Sequence, residues 1–158
     1  MSKIFINSVV SGLSNRISSL FADKIALSFS GDHRFNQQKT ILTGNPIRKE
    51  IIAVKPVRHK GINILITGGN QGSHVINLAV EQSLNKLTKL ASIIHVTGDN
   101  RFHDFERLEE FTSESYLVKK WIGKEWASIL QKVELVVSRA GINTLTELAF
   151  LNKPALII

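Results

Sequence analysis

From Ile62 onward, short apolar runs alternate with segments of helical periodicity, and this rhythm leaves few folds open to the chain. Residues 62–67 (INILIT) read as a strand, 75–90 as a helix, 92–97 as a strand and 102–111 as a charged helix. Residues 116–121, 134–138 and 155–158 read as further strands, separated by helices over 124–131 and 144–151. The first run is apolar almost throughout, as in parallel strands covered on both faces. Alternation of this kind predicts an α/β fold, a Rossmann-like, doubly wound parallel sheet with flanking helices. Right-handed crossovers then bring the loops after the strands to one edge, where such sheets bind ligands.

The first part of the chain is less regular. Residues 12–22 have helical spacing with Leu13, Ile17, Leu20 and Phe21 on one side, 24–29 and 40–43 read as short strands, and Ser30-Gly31-Asp32 as a turn. Glycine and proline in Gly44-Asn45-Pro46-Ile47-Arg48 forbid a regular helix before Pro46, after which 48–54 suit a short one. The basic stretch 55–61, with Pro56 and Gly61, is the best linker candidate. Lys3 and the apolar residues after it faintly resemble a signal peptide, though Asn7, Ser8 and Ser11 interrupt the run. The stripe from Leu13 to Phe21 suits either a membrane surface or, more plainly, packing on protein.

No cysteine occurs, which excludes disulfides and thiolate chemistry. A net charge of +7 favours anionic partners without choosing among them. No segment reaches the roughly 18 to 20 apolar residues that span a bilayer. The five histidines lack metal-ligand spacing, and neither H-E-x-x-H nor D-x-D is present, so no metal or cofactor is expected. His95, within a strand, reads as a satisfied buried histidine. Trp121, Trp126 and Tyr116 do not interleave with a basic stripe, so no nucleic-acid partner is expected.

Three motifs carry the remaining chemistry. Gly68-Gly69-Asn70-Gln71-Gly72-Ser73 lies between a strand and a helix, where backbone N–H groups and the helix N-terminus suit a diphosphate. Its spacing fits neither the dinucleotide fingerprint nor the P-loop, and a tight turn without a ligand explains it as well. Ser138-Arg139-Ala140-Gly141-Ile142-Asn143-Thr144-Leu145-Thr146-Glu147-Leu148-Ala149 follows another apolar run. Glu147, expected in the first turn of the helix, suits the vicinal hydroxyls of a ribose. Thr144-Leu145-Thr146-Glu147 equally fits a capping box, and the pattern leaves both readings open. Arg48, after the turn at Pro46, is either a reach across a cleft or a solvated arginine.

In their order and separations these motifs resemble the MurG family, the N-acetylglucosaminyltransferases that convert lipid I to lipid II in peptidoglycan synthesis. Asn7-Ser8-Val9-Val10-Ser11-Gly12-Leu13-Ser14-Asn15-Arg16 is similar to the family's E-Q-N-x-x-x-G-L-x-N segment, with the two residues before the asparagine replaced and one residue inserted. The resemblance covers nearly all of this chain and about the middle of the family's length. It implies the GT-B arrangement of two facing Rossmann-like domains. Residues 1–48 would be the remnant of the N-terminal acceptor domain with the junction, and 49–158 an incomplete C-terminal UDP-sugar-binding domain.

The same resemblance implies roles. Glu147 would hold the ribose hydroxyls, and Ile142, Asn143, Thr144, Leu145 and Thr146 would line the nucleotide and diphosphate. Ile122 would read the uracil through its backbone, Arg48 would stand at the domain junction, and Asn7 would face the donor cleft. Asn70 replaces the serine of the family's G-G-S-Q-G. The implied partners are UDP-N-acetylglucosamine and the lipid I acceptor, and the implied location is the cytoplasm, peripherally on the inner face of the membrane. The family's G-G-T-G-G-H segment has no counterpart here, and its glutamine pair would fall beyond Ile158, so no catalytic residue is assigned.

These absences imply a fragment or split enzyme, with a partner chain supplying the missing segments, or a non-catalytic UDP-sugar-binding remnant. An unfinished sheet also implies poor solubility in isolation.

Overall fold

The computed structural model describes residues 2–8, 11–30, 34–55, 57 and 61–158. The chain divides into two compact units, Met1–Arg48 and Lys49–Ile158. Part of the expected turn at 30–32, most of the expected linker at 55–61, and Val9 and Val10 lie outside the described residues.

The first unit is a three-stranded parallel sheet of β1 (Lys3–Ile6), β2 (Lys24–Leu27) and β3 (Thr40–Leu42), in that order, with helix α1 (Leu13–Phe21) between β1 and β2. Ile6, Ala22, Ile25, Leu27 and Phe35 form its core. The first part of the run that resembles a signal core forms strand β1, paired with β2 from Lys3↔Lys24 to Ile6↔Leu27. The stripe of α1 departs from the plainer expectation: Leu13, Ile17, Leu20 and Phe21 are all more than half exposed. Helical periodicity shows that a stripe exists and is silent on what covers it.

The second unit begins with helix α2 (Lys49–Ala53) and continues as a five-stranded parallel sheet flanked by helices. In chain order its elements are β4 (Asn63–Thr67), α3 (His74–Leu87), β5 (Ser92–Val96), α4 (Asp104–Glu109), β6 (Tyr116–Lys119), α5 (Trp126–Lys132), β7 (Leu135–Ser138), α6 (Ile142–Phe150) and β8 (Ala155–Ile157). The strands lie in the order β6-β5-β4-β7-β8. The Rossmann-like α/β fold expected from the alternation is therefore present, with element ends displaced by a few residues. Leu65, Ile93 and Val136 on neighbouring strands are essentially buried. Ile66, Ile76, Val80, Leu108, Tyr116 and Val118 pack where α3 and α4 cover β4, β5 and β6. Burial of each large apolar side chain here stabilises by about 1.5–3 kcal/mol.

Strand β4 is the central one, and the chain leaves it first toward β5 and β6, then returns to its other side as β7 and β8. The loops after β4 and β7 therefore diverge, which opens a crevice at the carboxyl edge of the sheet.

Candidate functional site

The carboxyl ends of β4 and β7 are paired through Thr67↔Ser138, so the two glycine-bearing motifs stand side by side at the crevice. The loop 68–73 turns tightly after β4, with the Gly69 N–H donating to Thr67 Oγ1 at 3.1 Å and the Gly72 N–H to the Gly69 carbonyl at 2.9 Å. Gly69 and Gly72 have φ of 84° and 72°, in the left-handed region that favours glycine. Their surroundings differ: a Cβ at Gly69 would meet open space, whereas one at Gly72 would fall on the Thr97 carbonyl. A Cβ at Gly98 would in turn fall on the backbone of Gln71 and Gly72, so the loops after β4 and β5 interlock. Asn70 is exposed at the tip of the loop.

On the other side of the crevice, α6 starts two residues earlier than expected. Gly141 is its N-cap, with extended backbone at φ −73° and ψ 122°, and the Leu145 N–H donates to the Gly141 carbonyl at 2.9 Å. Asn143, Thr144, Leu145 and Thr146 are therefore inside the helix, and Thr146 Oγ1 donates to the Ile142 carbonyl at 2.8 Å. This removes the capping box: Thr144 is not the cap, and no acidic residue occupies the first turn. Glu147 sits in the second turn, only 2% exposed. A buried carboxylate needs donors. One is the indole of Trp126, whose Nε1–H donates to Glu147 Oε2 at 2.8 Å.

Trp126 joins the candidate site through Glu147, and motif reading passes over it. It is the first residue of α5, and its contact spans 21 positions to α6. Its only sequence signal is an indole, which is a donor with no acceptor, near the start of a helix. Ile122 lies in the loop 120–125 that leads from β6 to Trp126, and is half-buried. The structure thus gathers 68–73, 139–147 and the approach through Ile122 and Trp126 on one edge of the second unit. Asn7 and Arg48 belong to the first unit, where both are exposed in non-helical segments and Asn45 Oδ1 accepts from Ser28 Oγ at 3.3 Å.

Beneath the interlocked loops is a polar cluster. Asp104 is buried and accepts from Asn77 Nδ2 at 2.7 Å, Arg107 Nη2 at 2.7 Å, His74 Nδ1 at 2.9 Å and Asn100 Nδ2 at 3.0 Å. Burial pushes its carboxyl up, and these hydrogen bonds outweigh burial and hold it below the ordinary carboxylate range. His95 is fully buried with both ring nitrogens engaged, as expected for a satisfied core histidine. Burial pushes its pKa down to about 4, against the opposing charge of Asp104. No group of ligating side chains suited to a metal ion occurs among the described residues, nor a helix long and apolar enough to cross a membrane.

A five-stranded parallel sheet flanked by helices, with glycine loops across its switch point, defines the class as a Rossmann-like α/β protein. The particular family follows from comparison: residues 63–158 match the glycosyltransferase family 28 C-terminal domain, and the chain belongs to that family. The named transferase UDP-N-acetylglucosamine--N-acetylmuramyl-(pentapeptide) pyrophosphoryl-undecaprenol N-acetylglucosamine transferase of Clostridium kluyveri is 33% identical over 95% of this chain and 44% of its own length. Its namesake from Syntrophus aciditrophicus is 33% identical over 94% of this chain and 43% of its own length. The chain spans less than half the length of these curated relatives. Among solved structures, Acinetobacter baumannii MurG superposes with a TM-score of 0.62 at 20% identity, over 98% of this chain and 45% of the other. A glycotransferase of kitacinnamycin superposes with a TM-score of 0.56 at 16% identity, over 87% of this chain and 36% of the other. Both likenesses bear on the fold alone.

Proposed function

We propose that this chain carries the nucleotide-sugar-binding part of a hexosyltransferase that moves N-acetylglucosamine from its UDP donor to lipid I, making lipid II. The observation that carries this reading is the Thr67↔Ser138 pairing, which sets loop 68–73 beside the N-terminus of α6. In this reading the ribose hydroxyls bind Glu147, and the diphosphate lies near Asn70 and residues 142–146. The uracil meets the Ile122 backbone, and the donor roles that the resemblance implies for Asn7 and Arg48, in the acceptor-domain residues 1–48, belong to the same proposal. Residues 49–158 form the donor domain.

In the reaction the acceptor hydroxyl attacks the anomeric carbon with inversion, a new C–O bond forms, and UDP departs with the electrons of the broken bond. Backbone N–H groups at the helix N-termini stabilise the departing diphosphate. The hydroxyl proton passes to a base that no residue of this chain is assigned to supply. The proposed setting is the inner face of the cytoplasmic membrane, where the acceptor lipid lies.

The second reading is a UDP-sugar-binding module that turns over nothing alone, or works with a partner chain. Calorimetry with UDP-N-acetylglucosamine on the parent and Glu147→Ala separates these readings from a fold without a ligand. Heat from the parent and none from the variant is expected, and no heat from the parent removes both. Turnover with a lipid I analogue then separates transferase from binding module.

A further inference from the structure

Asn77 is fully buried in α3, four residues after the 68–73 loop ends, and its amide reaches three partners. Nδ2 donates to the Thr97 carbonyl at 3.0 Å and to Asp104 Oδ2 at 2.7 Å, while Oδ1 faces His95 Nε2 at 3.0 Å. A carbonyl and an ionised carboxylate only accept, which fixes the orientation of the amide. Asn77 Oδ1 must then accept from His95, so the imidazole proton is assigned to Nε2. Nδ1 of His95 is left to accept from the Tyr116 hydroxyl at 2.8 Å. The hydrogen bonds run in one direction, from Tyr116 through His95 and Asn77 to Asp104.

This relay is held neutral in its middle. Burial depresses His95 to about 4 and pushes the Tyr116 phenol up, with the Glu81 charge adding to the second effect. Neither group changes charge near neutrality, so the arrangement is a strut and not a switch. At its anchored end Asp104 also gathers His74, Asn100 and Arg107, and Arg107 Nε donates to Glu81 Oε2 at 3.2 Å. Three of these, His74, Asn77 and Glu81, lie on α3, while Asn100 lies after β5 and Asp104 and Arg107 on α4.

What the strut grips is the loop. The Thr97 carbonyl held by Asn77 is the atom against which Gly72 packs with no room for a Cβ. The Asn77 N–H donates to the Ser73 carbonyl at 2.9 Å, the last residue of the same loop. One buried residue therefore serves both places: its backbone N–H holds the end of loop 68–73, and its side chain holds the carbonyl on which the third glycine rests.

The geometry points to Asn77 as a positioning residue that holds loop 68–73 in the shape required by a nucleoside diphosphate, with His95 and Tyr116 bracing it and Asp104 anchoring it. The ligand in this inference rests on the donor reading above; the hold on the loop does not.

The test compares the full chain with Asn77→Leu and Tyr116→Phe by amide hydrogen exchange, with UDP-N-acetylglucosamine titrated into each sample. Leucine is similar in volume and makes none of the three bonds. Exchange at Gly72 and Thr97 is expected to rise at least tenfold in Asn77→Leu, with Val136, bonded to Pro154 in the far half of the sheet, unchanged. Uniform acceleration across the unit, or none, would overturn the inference. Tyr116→Phe, which loses one hydroxyl, is expected to raise the same loop amides at least threefold with the same control unchanged, and it decides the matter if Asn77→Leu does not fold. Nitrogen chemical shifts of His95 in the parent are expected to show the proton on Nε2; the opposite tautomer overturns the relay. Affinity for UDP-N-acetylglucosamine is expected to fall at least tenfold in Asn77→Leu, and an unchanged value overturns the positioning role while leaving the donor reading intact. If the parent binds nothing, the donor reading fails, and the exchange data alone decide whether Asn77 holds the loop.

Discussion

The two halves of the five-stranded sheet are finished differently. On the β5–β6 side, α3 and α4 close over the strands, and the interior holds both apolar packing and the polar network around Asn77 and Asp104. On the β7–β8 side, Ala155, Leu156 and Ile157 of β8 are all exposed, although parallel strands are ordinarily covered on both faces. The difference shows that the loop after β4 is secured by its own half of the sheet. The α6 wall of the crevice is held by contacts with α5, among them Trp126 with Glu147.

The widest gap between the halves should appear on cutting apolar side chains. Leu108 is fully buried against the α3–β5 core, so Leu108→Ala is expected to destabilise the second unit by about 2–5 kcal/mol. Leu156→Ala, on the exposed strand, should stay within about 0.5 kcal/mol. Urea unfolding of both variants checks the contrast, and equal losses would show that β8 is covered in solution.

Acid should strike the closed half next. His95 is neutral when folded with a pKa lowered from 6.5 to about 4, so unfolding takes up a proton as pH falls through this window. Its contribution is present above 6.5 and is lost progressively toward about 4, a total of about 3 kcal/mol at about 1.4 kcal/mol for each pH unit of displacement. Asp104, also lowered, adds a loss of the same sign below the ordinary carboxylate value. Denaturation curves from pH 7 to 4 should therefore be flatter in His95→Gln than in the parent.

A smaller effect is expected at the α6 wall. Trp126→Phe keeps a ring and removes the donor to a buried carboxylate oxygen, for a loss of about 1–3 kcal/mol read by thermal melting. Smaller still is Gly69→Ala. Space is open there and only the left-handed backbone resists, so about 1 kcal/mol is expected from the same measurement.

The sheet of the second unit is legible in the sequence because each strand is an apolar run ended by glycine or a polar turn, and each helix has its own period. The order of strands is not, since alternation prescribes parallel crossovers without saying which side of β4 each return takes. The α6 boundary departs from its expectation because Thr144 and Glu147 stand at capping-box spacing, while a glycine with extended backbone begins the helix at Ile142. Strand β1 is obscured by its resemblance to a signal core, and its pairing with β2 depends on residues 21 positions away. Of the site, the glycine loop and Glu147 stand out as motifs. Trp126 and the Asn77 network do not, because their partners lie 18 to 27 positions away and meet only across packed elements.

The interlock of Gly72 with Thr97 and Gly98 also bears on how such a chain can vary through descent. Two turns that share one point of backbone contact cannot drift separately. A lengthening or a bulkier residue in either must be answered in the other, so the pair behaves as a single heritable locus. Variation would be freer at the opposite wall of the crevice, where Arg139 and Ala140 are exposed.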